Sequence, residues 1–315
     1  MASTPPPPSD PLDRVPLWVL VGPTASGKSE LALALAERLD AEIVSLDSMQ
    51  VYRGMDIGTA KPSLAERARV AHHMLDLVEP NEVFDVQQFL GSLRCAMESI
   101  EARGKKALFV GGTGFYLAAL LRGLFEGPPV DRELRARLEA KADSLGAEAL
   151  WNELHAIDPA SAARLHAHDV RRVIRGLEVF EQTGRTLSTW QTEWASPNPR
   201  IERARLVGLH WSVPEQDARI RARTDAMFEL GWRDEAVRLR EHPGLGASAI
   251  QALGYRTMLD WADGTLDRAG ALEEVVLRTR QFARRQRTWY RKFAIQWIAG
   301  DAIDRLDQAH AHLVR

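Results

Sequence analysis

Leu17-Trp18-Val19-Leu20-Val21 is an unbroken apolar run that stops at a glycine, the pattern of a strand buried on both faces. From Ser29 the period changes: Leu31, Leu35 and Leu39 recur every four residues, which predicts a helix to Leu39. Ile43-Val44-Ser45-Leu46 predicts a second strand, and Ala107-Leu108-Phe109-Val110, closed by Gly111-Gly112, a third. Between these two, Val86 to Arg103 places Phe89, Leu90, Leu93, Met97 and Ile100 on one face of a helix that Gly104 ends. Strands alternating with helices predict an α/β fold, a parallel sheet flanked by helices on both faces. Ligands of such sheets sit at the carboxyl ends of the strands, so the residues directly after each run are the first candidates for chemistry.

The pattern changes after Gly127. Asp131 to Leu154 is rich in Ala, Arg and Glu and carries Leu134, Leu138, Leu145, Leu150 and Leu154. Asp158-Pro159 starts a further helix, and Asp169 caps another that runs to about Gln182. No strand pattern returns until Leu206-Val207-Gly208-Leu209-His210, and Ser196-Pro197-Asn198-Pro199 is a breaker cluster before it. The expected organisation is an α/β core at 15–126 and 197–315, ending in a basic helix and interrupted by an all-helical insertion domain at 127–196. Residues 1–14, with Pro5 to Pro8 in succession, are expected to form a disordered polyproline II leader.

At about 150 residues per domain, 315 residues agree with roughly two domains. There are 43 acidic and 41 basic residues, for a net charge of -2; this excludes a basic coat over the whole surface but not a local patch. The single cysteine, Cys95, excludes an internal disulfide and any zinc site that needs two cysteines. On the Val86–Arg103 helix it reads as an inert structural thiol. His72-His73 lacks both the spacing and the third ligand of a metal site. No run of about 18 apolar residues is present, so no membrane span is expected. With no export signal, the cytoplasm is the expected compartment.

After the first strand stands Gly22-Pro23-Thr24-Ala25-Ser26-Gly27-Lys28-Ser29, the G-x4-G-K-S phosphate loop of ATP-binding proteins. The sheet is therefore expected to be P-loop NTPase-like. In this motif backbone N–H groups cradle phosphate oxygens, and the next helix adds its positive end. Lys28 would reach the terminal phosphate and the Ser29 hydroxyl would ligate Mg²⁺. After the second strand comes Asp47, a carboxylate facing the phosphate site as general base or substrate ligand, unless it only caps a helix. After the third comes Gly111-Gly112-Thr113-Gly114, where glycines admit a ligand closely and Thr113 offers a hydroxyl. ATP-using P-loop enzymes usually end such a strand in an Asp that helps hold Mg²⁺, and Val110-Gly111-Gly112-Thr113 has none. Arg53 to Pro62 is expected to be an ordered loop at the same edge.

Three basic groups remain. Arg171 and Arg175, in Arg171-Arg172-Val173-Ile174-Arg175, either grip a phosphate strand together or form a solvated face. Arg219 and Arg223 share a helix face in the manner of a phosphate clamp. Arg278 to Lys292 holds seven basic residues and no acidic one, interleaved with Phe282, Trp289 and Tyr290. It is either a track for nucleic-acid backbone or a helix that packs aromatics inward and leaves its arginines in water.

Taken together, GPTASGKS at 22–29, SLDSMQVYRGMDIGTAKP at 45–62, GGTGFY at 111–116, DVRRVIRGLEVFEQTGR at 169–185, LGYR at 253–256 and RTRQFARRQRTWYRK at 278–292 resemble the tRNA dimethylallyltransferase (tRNA isopentenyltransferase) family. The chain lacks the cysteines of the C-terminal zinc finger that eukaryotic members often carry, so the resemblance is to the bacterial type. It implies transfer of a dimethylallyl group from dimethylallyl diphosphate to N6 of the adenosine beside the anticodon, position 37, in tRNAs reading codons that start with U. Diphosphate is released, and Mg²⁺ assists. Asp47, Thr113 and Arg135 are the implied catalytic positions, and 22–29 with Arg223 and Arg219 the implied diphosphate site. The anticodon stem-loop is implied to lie on Asp47, Ser48, Met49 and Gln50, on Arg171, Arg172, Val173, Ile174 and Arg175, and on Gln251, Ala252, Leu253, Gly254, Tyr255 and Arg256. A monomer is expected.

A P-loop small-molecule kinase would also explain Asp47 and the arginines, but not the basic aromatic helix; a prenyltransferase acting on free AMP or ADP would not need that helix either. A non-catalytic RNA-binding NTP switch would need neither Asp47 nor Thr113. The missing strand-end Asp yields a prediction: the protein does not hydrolyse ATP at an appreciable rate, with or without tRNA. Robust tRNA-stimulated phosphate release in a standard ATPase assay contradicts it and restores the switch.

Overall fold

The computed structural model describes residues 10–123, 127–194 and 199–315. Contacts divide the chain into two units, one formed by the residues up to Leu121 together with those from Pro199, the other by Arg122–Asn198.

The first unit is built on a six-stranded sheet of β1 (Leu17–Val21), β2 (Ala41–Ser45), β3 (His72–His73), β4 (Lys106–Gly111), β5 (Ala204–His210) and β6 (Gln296–Ala299), in the order β3-β2-β4-β1-β5-β6. All pairings are parallel. Every residue of β1 is buried, because β4 and β5 flank it and helices cover both faces. The Lys28–Leu39 helix buries Leu31, Leu35 and Leu39, and the Val86–Ala102 helix buries the five apolar positions read from its sequence. An Asp85/Gln88 capping box starts the latter. Cys95 on that helix is exposed, so it is not the structural thiol the sequence suggested. The edge strands β3 and β6 were not legible: one is two residues long, and the other buries only Ile298.

The expected leader needs correction at its end. Pro5 to Pro8 lie outside the described residues, but Pro11–Asp13 forms a 3-10 turn capped by Asp10, with Leu12 fully buried. Asp10 also pairs with Arg94 at 3.0 Å. An apolar anchor and a paired carboxylate order a segment whose composition alone reads as tail.

A second core in this unit joins the Val213–Glu229, Trp232–Glu241, Tyr255–Ala262 and Arg268–Tyr290 helices to the loop after β2, through Val51, Tyr52 and Met55. That loop is held by two buried charges. Glu235 accepts from the N–H groups of Asp56 (3.0 Å), Ile57 (2.8 Å) and Gly58 (3.2 Å) and from the Tyr255 hydroxyl (2.7 Å). Burial, then the Glu235 carboxylate, raises the Tyr255 phenol well above its ordinary value, so it stays a donor. The Lys61 ammonium lies between Asp56 (2.7 Å) and Asp76 (2.6 Å) and donates to the Tyr52 carbonyl.

In the second unit, helices Arg132–Leu145, Ala147–Ile157, Pro159–Ala162, Val170–Thr183 and Leu187–Trp194 bury Leu134, Leu138, Leu150, Leu154, Val173, Ile174 and Leu177 together. Gly146 divides the leucine-rich stretch into two helices and leaves Leu145 exposed. Of the breaker cluster, Ser196 to Asn198 lie outside the described residues.

Glu235 supplies a stability prediction. Glu235→Ala leaves three backbone N–H groups and a phenol without their acceptor, and should cost at least about 3 kcal/mol in urea unfolding. Glu229→Ala, which removes only an exposed ion pair with Arg268, should stay within about 0.5 kcal/mol. Equal losses in the two variants would contradict the anchoring role.

Candidate active site

The carboxyl ends of β1, β2 and β4 meet at a cavity of about 640 Å³. Thr24, Lys28 and Ser29 line it from the phosphate loop, Asp47 to Gln50 from the loop after β2, and Thr113 from the loop after β4. Gln251 to Gly254, with Arg256, close another side, and Arg223 enters from the Val213–Glu229 helix. Arg278, Phe282, Arg285 and Gln286 of the basic helix complete the wall. Groups far apart in sequence thus share one space.

The phosphate loop bends because Ala25 and Gly27 adopt left-handed backbone, with φ of 61° and 88°. The helix then begins at Lys28 with no side-chain cap at Gly27, so first-turn N–H groups face the loop without intrahelical acceptors. Elements outside the motif hold this shape. The Thr24 carbonyl accepts from Gln216, its hydroxyl from Arg223, and its N–H donates to Gln286 Oε1 at 2.8 Å. The Ser26 carbonyl accepts from Trp211 Nε1 at 2.9 Å, and the Ala25 carbonyl from Arg219 Nε at 2.8 Å. Arg219 also stacks on Trp211 and does not line the cavity. The two arginines expected as one clamp therefore divide: Arg223 faces the cavity and Arg219 braces the loop.

The electrostatics are those of an anion site. Desolvation, then the neighbouring Arg223, pulls the Lys28 ammonium down to about 8, against the opposing pull of Asp47. Arg223 is drawn down to about 10, by desolvation first, with Arg219 adding to it and Asp47 opposing. The Arg223 Nε is buried with no partner among the described residues.

Asp47 Oδ1 accepts from the Met49 N–H at 2.8 Å, so the carboxylate caps its own turn while lining the cavity. Thr113 Oγ1 accepts from the Ser48 N–H at 3.2 Å and couples the two loops. Ser45 Oγ donates to Gln50, whose amide reaches the Thr59 carbonyl at 3.2 Å. The glycines at 111–114 have a second role besides the one expected: a Cβ at Gly111 would lie 2.6 Å from Leu46, and one at Gly112 2.3 Å from Gln286. They admit the protein's own side chains, while Gly111 and Gly112 also line the cavity.

Other implied contacts are also redistributed. Tyr255 is fully buried on Glu235, and Val173 and Ile174 are core residues of the helical unit, so none of these side chains is available to RNA. Arg175 is engaged by Glu178 at 2.8 Å and by the Pro128 carbonyl. Arg135 pairs with the same buried Glu178 at 2.7 Å. Arg171 and Arg172 remain exposed. Sequence reasoning missed Gln216, Trp211, Gln286 and Glu235. A glutamine and a tyrosine at helical spacing from Thr279 and Ala283 on the basic helix were the available signal.

Among the described residues no three His, Cys, Asp or Glu side chains form a metal cage. Mg²⁺ is bound through few protein oxygens, waters and substrate phosphates, and the exposed Ser29 hydroxyl at the head of the phosphate cradle suits that mode.

The family model described as IPP transferase matches residues 50–293. A tRNA dimethylallyltransferase of Sorangium cellulosum is 44% identical over 90% of this chain and 90% of its own length. One from Geobacillus kaustophilus is 42% identical, covering 89% of each. The crystal structure of the full-length tRNA isopentenylpyrophosphate transferase of Bacillus halodurans superposes with a TM-score of 0.70 at 36% identity, covering 96% of both chains. A structure of a eukaryotic dimethylallyltransferase acting on tRNA gives 0.76 at 28% identity, covering 94% of this chain and 76% of that one.

The lowered Lys28 yields a pH prediction. Its ammonium, which attracts diphosphate, is present below about 8 and lost above it. Pyrophosphate binding by calorimetry should weaken about tenfold between pH 7 and pH 9. The comparison is with Lys28→Arg, which keeps its charge and shares the ligand's own ionisation. Parallel profiles for the two proteins would remove Lys28 as the titrating group.

Proposed function

The chain belongs to the IPP transferase family, and from that premise we propose how its cavity performs dimethylallyl transfer to tRNA. The acceptor is N6 of adenosine 37, beside the anticodon, in tRNAs that read codons starting with U, and the donor is dimethylallyl diphosphate. The observation that carries this reading is the cavity itself: a phosphate loop with two desolvated cations, a carboxylate and a hydroxyl share one wall with the 47–50 and 251–256 segments.

In the reaction, the adenine N6 attacks C1 of the donor while the C1–O bond breaks, and diphosphate leaves with the bonding electrons. An exocyclic amine is a weak nucleophile that becomes acidic as it bonds. Asp47, fixed by the Met49 N–H, orients it and takes its proton, a role worth about 10²- to 10⁴-fold. Charge gathers on the departing diphosphate. Lys28, Arg223 and the first-turn N–H groups meet it there. Thr113, held by Ser48, hydrogen-bonds at the bridging oxygen. Mg²⁺ held at Ser29 would neutralise diphosphate charge. Arg135 is read as a functional position carried over from the family, and Arg171 and Arg172, exposed on the helical unit, as cations for the anticodon stem. The target base must leave its stack to enter the cavity. No described helix is long and apolar enough to cross a membrane. In this reading the enzyme acts as a cytoplasmic monomer.

The test combines protein, Mg²⁺, labelled dimethylallyl diphosphate and unmodified tRNA. Label should pass to the RNA and not to free AMP or ADP. Asp47→Asn, which keeps an acceptor for Met49, should bind tRNA normally and turn over at least about 10²-fold more slowly. Near-normal kcat in that variant would remove Asp47 as the base.

A further inference from the structure

The hydrogen-bonded ladder between β1 and β4 ends at the pair Val21↔Gly111. Beyond it the chains diverge, one into the phosphate loop and the other toward Thr113, and their backbone groups no longer pair with each other. Gln286 fills the gap. Its Oε1 accepts from the Thr24 N–H at 2.8 Å, and its Nε2 donates to the Gly112 carbonyl at 2.9 Å. The side chain is 5% exposed, and Gly112 carries no Cβ where the amide sits. One turn further along the same helix, the Tyr290 hydroxyl donates to the Gly22 carbonyl at 3.0 Å. A carboxamide offers one donor and one acceptor in a plane, as a peptide group does. Gln286 therefore stands where one more rung of the sheet would be.

We propose that Gln286 is a positioning residue for the transfer reaction: its amide bridges Thr24 to Gly112 and so sets the spacing between the diphosphate cradle and Thr113. The proposal rests on the reaction given above. A small misplacement at a reacting centre costs rate more than binding, because the rate depends on the aligned geometry. Gln286 lies among the arginines of the basic helix, yet its amide is turned to the backbone of two other elements, so its removal should leave tRNA binding intact.

The experiment uses Gln286→Met, close in size and without hydrogen bonds, and Tyr290→Phe, which removes only the outer bond. For Gln286→Met we expect kcat to fall at least about tenfold. The dissociation constant for pyrophosphate should rise several-fold, and that for tRNA should stay within about twofold. Tyr290→Phe should show the same pattern more weakly, and it decides the matter if Gln286→Met does not fold by circular dichroism. A residue needed only for stability would lower the melting temperature and leave kcat per folded molecule unchanged, which overturns the proposal. A raised tRNA constant with unchanged kcat would make Gln286 an RNA contact and also overturns it. If wild type transfers no label, the reaction itself is misread, and the pyrophosphate constants still report whether Gln286 holds the loop.

Discussion

Lys28 and Arg223 line one cavity, and burial makes both charges hard to hold; Arg223 adds to the strain on Lys28, and Arg219 to that on Arg223. Asp47 relieves part of that strain, but one carboxylate does not neutralise two cations. The surplus is matched by an anion with several negative oxygens, so the site is completed by its ligand. Most of the surrounding structure serves to keep this arrangement from collapsing. Arg219 is drawn to the Ala25 carbonyl and the Trp211 ring, Gln216 to Thr24, and the loop after β2 to Glu235 and Lys61. These supports lie outside the phosphate-loop motif, which by itself specifies a bend and a helix start but not the position of either.

The same asymmetry explains what the sequence revealed. β1 and the helix faces of Leu31–Leu39 and Phe89–Ile100 were legible because burial on a regular element imposes a period. Asp47 and Thr113 were legible because strand ends in a parallel sheet converge. β3 was not, since two histidines carry no period, and His73 owes its place to Glu42 at 2.6 Å. The Gly111–Gly114 string lines the cavity through Gly111, Gly112 and Thr113 and is also room for Leu46, Gln286 and Trp289. Glycine records that something comes close without recording what. Tyr255 lies in a matching motif, yet its partner, Glu235, is chosen by tertiary packing that no local pattern encodes, whereas Arg175 meets Glu178 at the i,i+3 spacing of its own helix.

The Arg268–Tyr290 helix has two sides that answer to different readings of its basic run. Its buried side is a structural face, and its exposed side is where an RNA track would run. Val275, Thr279, Ala283, Gln286 and Tyr290 are buried at steps of three or four residues, one face of the helix. The outward residues are divided again. Arg278 and Arg280 pair with Glu274 and Asp217, whereas Arg284, Arg287 and Arg291 enter no ion pair among the described residues. In a protein whose net charge is -2, those three form a strip of positive charge on a helix face other than the one from which Arg278, Phe282 and Arg285 line the cavity. The buried side of the same helix holds the diphosphate loop through Gln286 and Tyr290. An RNA backbone on the exposed strip would refer both substrates to one element, and the helix would then set the spacing between a flipped base and the donor carbon.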